Sequence, residues 1–259
     1  TLRLRPNWLK CLLADCKIIF HYVIMPSIIT CFSPALLHLE EVNKRTVVII
    51  DVLRATSTIA TALFNGAKAI IPVDNVADCI RIGKQIDGIT AGERDGKIAE
   101  GLEHGNSPFE YSPGFINEKV LVLTTTNGTK LLHMALDKAA KDIVTGSFPN
   151  LTAVCDYLQQ KNENVILACA GWKDRVNIED SLFAGAVLNR LKNSFDPEGD
   201  SSKIAHNLYV NAQKNLYGFM KKNNASHYHR LTNFGLEKDI RYCLTEDVAN
   251  VLPVYKEGK

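Results

Sequence analysis

An apolar run over residues 47–51 ends in Asp51 and passes straight into Arg54, Thr56, Ser57 and Thr58, where helical spacing begins. A strand that ends in a carboxylate and hands over to hydroxyls at a helix N-terminus gathers backbone N–H groups, a guanidinium and an acid around one small volume. That volume suits a phosphate and a metal ion. Three further clusters carry the same chemistry: Gly92-Glu93-Arg94, Gly105-Asn106-Ser107-Pro108, and the run Thr124, Thr125, Thr126, Asn127, Gly128, Thr129. Each lies near the end of an apolar run, where open α/β sheets place their ligand crevice.

Hydrolysis of a phosphate ester requires a dianion to be neutralised, an attacking oxygen to be held in line and the leaving alkoxide to be stabilised. Arg54 and Arg94 are candidates for the phosphoryl oxygens. The turns bearing Thr56, Ser57, Asn106, Ser107, Thr125, Asn127, Gly128 and Thr129 are candidates for the rest. Asp51, Glu93 and the adjacent pair Glu179-Asp180 are candidate magnesium ligands, since Mg2+ takes one or two carboxylates together with water and phosphate oxygens. Cys169 ends an apolar run where a nucleophile would sit, and His104 is a candidate acid for the leaving group.

Each of these has a plain structural reading beside the chemical one. Asp51 can cap backbone N–H groups, Glu93-Arg94 can be a solvated ion pair, and Asn127-Gly128 is a turn signal. Glu179 and Asp180 suit a helix N-terminus whatever their function. Cys169 can be a small buried apolar side chain with no base beside it.

The elements that must position these residues follow from periodicity. Short β-branched runs at 28–32, 47–51, 69–72, 89–91, 120–124, 143–144 and 165–169 read as strands, and helical spacing at 55–65, 75–85, 128–136, 149–160 and 179–191 as helices. Strand and helix in alternation predict an α/β fold with a mostly parallel sheet covered by helices on both faces. Gly66 reads as a helix C-cap and Asn75 as a helix start. The stretch 92–118 reads as a long functional loop, 193–203 as a polar loop, and the residues beyond as a helical tail.

A length of 259 residues with 46% hydrophobic content permits a large core, so residues 25–259 read as one α/β domain. Thirty basic and 28 acidic residues are mixed along the chain for a net charge of +2, which leaves no footprint for nucleic acid. Seven cysteines without a CxxC pair predict reduced thiols and a cytoplasmic protein rather than a disulfide framework. Residues 1–24 are basic and apolar, but Asp15 and Lys17 interrupt the uncharged stretch that a signal peptide or membrane span needs. They read as an extension outside the fold, with no membrane partner. Apolar faces in the tail, including Leu208, Val210 and Leu216, would cover the sheet or a second subunit in a homodimer.

Four ordered blocks, VVIIDVLRATSTI, AGERDGK with the following GNSP, LTTTNGT, and CAG with the following EDSLFAGA, make residues 25 to about 242 resemble the 2-phosphosulfolactate phosphatase family. The resemblance implies a magnesium-dependent phosphatase acting on phosphate esters of 2-hydroxycarboxylic acids, with 2-phosphosulfolactate as substrate in coenzyme M biosynthesis. Asp51, Arg54, Glu93, Arg94, Asn106, Ser107, Thr125, Asn127, Gly128, Thr129, Cys169, Glu179 and Asp180 fall on its motif positions. The loop Gly101-Leu102-Glu103-His104-Gly105 departs from the family pattern of an aromatic and an acid before GNSP. A cysteine hydrolase of the isochorismatase-like kind, with Cys169 as nucleophile, and a non-catalytic anion-binding module are the competing readings. Metal-assisted attack by water, Asp51 as nucleophile and Cys169 as nucleophile all stay open from sequence.

Overall fold

The computed structural model describes residues 25–94, 97–125 and 127–259. The expectation for residues 1–24 lies outside the described residues. In chain order the elements are β1 (Ser27–Cys31), β2 (Thr46–Ile50), α1 (Ala55–Phe64), β3 (Ala69–Val73), α2 (Val76–Ile86), β4 (Ile89–Arg94) and β5 (Lys97–Ile98). There follow α3 (Pro113–Ile116), β6 (Val120–Thr124), α4 (Gly128–Asp137), β7 (Asp142–Gly146), α5 (Leu151–Lys161) and β8 (Val165–Cys169). The chain continues with α6 (Ile178–Leu191), β9 (Asp196–Glu198), α7 (Gly199–Ala212), α8 (Leu216–Lys222), α9 (Ser226–Asn233) and α10 (Glu237–Cys243).

The fold is α/β, as the alternation predicts, and its strands divide between two sheets. One has five parallel strands in the order β7-β2-β8-β1-β9; the other has the order β3-β6-β4-β5, parallel except for β5 against β4. Central strands β2 and β8 are buried along their whole length, which is why TVVII and VILAC read as unbroken apolar runs rather than alternating ones. Helices α5, α6 and α7 pack on one face of the larger sheet, with Phe148 and Phe183 edge to face at their centre. Leu131, Leu132 and Ala135 of α4 pack on the other face. The smaller sheet packs with α1 on one side and with Cys79 of α2 on the other.

Local signals explain several boundaries. Gly66 closes α1 at φ +97°, a conformation that any side chain would strain. Asn75 caps α2 by accepting the Asp78 N–H at 2.8 Å. The expected polar loop at 193–203 is corrected: residues 196–198 add β9 to the edge of the larger sheet beside β1, and α7 has already begun at Gly199. Backbone pairing to an existing strand edge needs no apolar side chains, so Asp196, Pro197 and Glu198 gave no strand signal. The expected loop at 92–118 likewise holds the end of β4, the β5 hairpin partner and α3. The carboxyl ends of β2, β6 and β8 and the N-termini of α1, α4 and α6 carry the residues of the next section. Among the described residues, no helix is long and apolar enough to cross a membrane.

Candidate active site

A small polar cavity of about 20 Å³ lies where the two sheets meet. Asp51, Leu53 and Arg54 reach it from the turn between β2 and α1, Glu93 from β4, Asn106 from the following loop, and Thr125 and Asn127 from the turn between β6 and α4. His227, Arg230 and Leu231 close it from α9. Four separate motifs of the sequence therefore converge on one volume, together with a helix from the tail.

Asp51 is held by a local brace. Its backbone N–H donates to Thr56 Oγ1 at 3.1 Å, its carbonyl accepts the Thr56 N–H at 2.9 Å, and the Thr56 hydroxyl donates onward to the Gly146 carbonyl at 2.8 Å. Burial raises the Asp51 carboxyl to about 6. His227 opposes that shift, Glu93 and Glu179 add to it, and the Ala55 N–H opposes it. A side chain at Gly128 would bring a Cβ to 3.2 Å from Thr125 Oγ1 and 3.7 Å from Asp51 Oδ2, so glycine keeps the first turn of α4 open towards the acid.

Arg54 is buried and its guanidinium donates to Asp239 Oδ2 of α10 at 2.5 Å. Both partners are about 6% exposed, so the pair leaves little room for water to share the charge.

A second chain of contacts starts at Glu179, in the first turn of α6. Its Oε1 lies 2.5 Å from His227 Nδ1, and His227 Nε2 lies 3.1 Å from Arg230 Nη2. His227 Nδ1 also lies 3.2 Å from Asn177 Nδ2, so the ring is held between Glu179, Asn177 and Arg230. The Arg230 guanidinium also lies over the Trp172 ring, 4.8 Å from its centroid. Arg230 Nε and Asn106 Oδ1, a donor and an acceptor on two residues that line the same cavity, are buried and have no hydrogen-bond partner among the described residues.

Other expected site residues lie elsewhere or are engaged. The Ser57 hydroxyl donates to the Val52 carbonyl at 2.8 Å, so Ser57 and Thr56 both serve the β2–α1 turn and offer no free hydroxyl to a phosphate. Asp180 accepts the Val52 N–H at 2.9 Å on one oxygen and the Gly171 N–H at 3.0 Å on the other, tying the ends of β2 and β8 together. Burial, with Glu179 and Asp51 close by, pushes its carboxyl well above the usual range. Thr129 bonds to Thr125, hydroxyl to hydroxyl at 3.1 Å, and steadies the β6–α4 turn. Arg94 donates to the Glu93 carbonyl at 2.7 Å and to Thr124 Oγ1 at 3.3 Å and does not line the cavity; the second guanidinium there is Arg230. Ser107, whose N–H faces Glu110, and His104, 3.6 Å from the Glu110 carboxylate, also lie outside the lining. Cys169 is fully buried, and burial pushes its thiol well above the usual range, the opposite of an activated nucleophile. Among the described residues, no group of three or more His, Cys, Asp or Glu forms a ready metal cage, so Asp51, Glu93, Glu179 and Asp180 are not assembled as one ligand set.

His227, Arg230 and Asp239 were not among the sequence candidates. The i, i+3 spacing of His227 and Arg230 places both on one helix face, and that is the signal the tail offered.

The fold and this cavity define a class: an α/β protein with a buried carboxylate and a guanidinium just past the carboxyl end of a central strand, faced by a second guanidinium from a C-terminal helix. Residues 31–258 match the sequence profile of a family described as 2-phosphosulpholactate phosphatase. The chain is 40% identical over 223 residues to a probable 2-phosphosulfolactate phosphatase of Caldanaerobacter subterraneus subsp. tengcongensis, covering 85% of this chain and 91% of that protein. It is 42% identical over 218 residues to a protein of the same name from Thermotoga petrophila, with 84% and 92% covered, and 36% identical over 223 residues to one from Clostridium novyi, with 85% and 93% covered. The chain belongs to the 2-phosphosulpholactate phosphatase family, a family of phosphoric monoester hydrolases.

Proposed function

We propose that this chain hydrolyses phosphate esters of 2-hydroxycarboxylic acids, with 2-phosphosulfolactate and water giving sulfolactate and inorganic phosphate. The observation that carries this reading is the pair of unpartnered buried atoms on two residues that line the cavity. Arg230 Nε offers a donor and Asn106 Oδ1 an acceptor, each of which costs about 1–3 kcal/mol while unsatisfied. A ligand that satisfies both must present an anionic oxygen to one and a cation or a donor to the other. A phosphomonoester with a divalent cation does so.

In this reading Arg54 and Arg230 neutralise the phosphoryl oxygens, and the N–H groups at the start of α4, reached past Asn127, take a further oxygen. Asp239 fixes Arg54, while Glu179 fixes His227, which fixes Arg230. His227 is thus a positioning residue, held between Glu179 and Arg230. Asp51, Glu93 and Asn106 line this cavity and offer hard oxygen donors of the kind magnesium takes, and the Asp51 carboxyl is raised by its burial, with Glu93 and Glu179 close by. Bound there, the ion would supply charge neutralisation at the phosphoryl oxygens. Asp180 and the hydroxyls of Thr56 and Ser57 hold the framework.

Treatment with EDTA should abolish phosphate release from 2-phosphosulfolactate, and Mg2+ should restore it; a panel of 2-hydroxyacid phosphates read by released phosphate checks this. Release from none of them in the presence of Mg2+ overturns the proposal and leaves an anion-binding module. Cys169→Ala should keep kcat within about twofold of the parent, because a protonated buried thiol takes no part in attack. A large loss in that variant would favour the cysteine hydrolase. Glu179→Gln should raise KM about tenfold with a smaller change in kcat, the pattern of lost uniform binding when the Arg230 clamp slackens. Equal kinetic constants for variant and parent would refute the positioning chain.

A further inference from the structure

The polar cavity leaves a far larger opening unexplained. A cleft of about 480 Å³ runs between the two sheets, beneath α1, bounded by edge strand β7 on one side and edge strand β3 on the other. The C-terminal segment forms one of its walls: the Thr145 N–H donates to the Pro253 carbonyl at 3.1 Å and the Tyr255 N–H to the Ile143 carbonyl at 2.9 Å, so this segment pairs antiparallel with β7. Pro72 on β3 has no N–H to offer and blunts the opposite edge. Two sheet edges are thereby kept apart, with a gap between them.

The gap has a consistent chemistry. Ile59, Leu63, Ile70 and Leu123 supply an apolar wall, and no aspartate or glutamate side chain belongs to the lining. Lys68, Lys256 and Lys259 also line it, and none of the three is in an ion pair among the described residues. Thr145, on the β7 wall, has a buried hydroxyl without a hydrogen-bond partner. A volume inside the roughly 300–1,000 Å³ range of small-molecule sites, apolar within and positively charged around it, matches one kind of occupant. The small, highly charged substrate of the proposed reaction is not that occupant, since burying several charges against leucine and isoleucine is unfavourable.

We infer that this cleft is a second binding site, for a single carboxylate carrying an extended apolar body, such as a free medium-chain fatty acid. The acyl chain lies against the wall of α1 and β3, and the carboxylate meets the lysine ammonium groups. Thr125 and Gly128 border this cleft, and Thr125 also lines the polar cavity, so the two sites share the β6–α4 turn without sharing a charge.

Binding is tested without turnover. Decanoate is titrated calorimetrically into the full chain, with decanol and acetate as controls and Lys68→Gln/Lys256→Gln as the variant. Both lysines are exposed, so the variant folds, and circular dichroism checks it. The expected result is saturable binding of one decanoate per chain, about tenfold weaker to the variant and about tenfold weaker for decanol, the loss of one charge-assisted contact. Absence of saturable decanoate binding, equal affinity for decanol, or an unchanged affinity in the variant overturns the inference.

Discussion

Asp51→Asn lowers kcat by about 10²- to 10³-fold, the usual cost of losing one preorganised charge at a reacting centre, while the chain stays folded. The variant also gains stability at high pH, and the sign follows from the carboxyl's raised value. A group whose folded value, about 6, exceeds its ordinary 3.8 stabilises the fold while protonated, below the ordinary value. That contribution is lost as pH rises through about 6. In EDTA, the parent should therefore lose about 3 kcal/mol between pH 3.5 and pH 8 that the asparagine variant retains, two units at roughly 1.4 kcal/mol each. Urea unfolding of both chains at each pH measures the difference. A variant that turns over at the parental rate, or that is less stable than the parent at pH 8, removes Asp51 from the centre of the site. Magnesium added to the parent should recover the lost stability, because the ion binds the folded state alone.

Asp239→Ala has the second large effect, and it acts on stability first. Removing one partner of a buried ion pair strands the other charge, at a cost of about 3–5 kcal/mol. Arg54, about 6% exposed, cannot reach water for compensation. The variant should unfold at markedly lower urea and lose most of kcat/KM, because its remaining guanidinium is no longer aimed. The double variant Arg54→Met/Asp239→Leu separates the two roles. Burying two apolar side chains in place of the pair should restore stability to within about 1 kcal/mol of the parent, yet leave no turnover. Retained activity in the double variant would show that Arg54 is scaffold rather than clamp.

How much of this was legible beforehand depends on the range of each interaction. Strand ends and helix starts are local, so TVVIID and LTTTNG announced the turns that carry Asp51, Thr125 and Asn127, and Gly66 and Asn75 announced helix limits. The convergence of Asp51, Arg54, Glu93, Asn106, Thr125 and Asn127 follows from the rule that strand carboxyl ends form the crevice. Which strands share a sheet is set by long-range pairing that periodicity does not encode, so the division into two sheets was not readable. The backbone bonds of Asp180, Thr56 and Ser57 are hidden for a related reason. An acid at a helix start and a hydroxyl in a turn look alike whether they face a ligand or a neighbouring backbone N–H. His227 lies 48 residues from Glu179 and Asp239 lies 185 residues from Arg54, in a tail whose composition marks it only as helical.

The cavity lined by Asp51, Arg54 and α9 has room for about one water molecule. His227 and Arg230 share one eight-residue helix, so the imidazole anchored by Glu179 and the guanidinium beside it hold their places on that wall as a single unit.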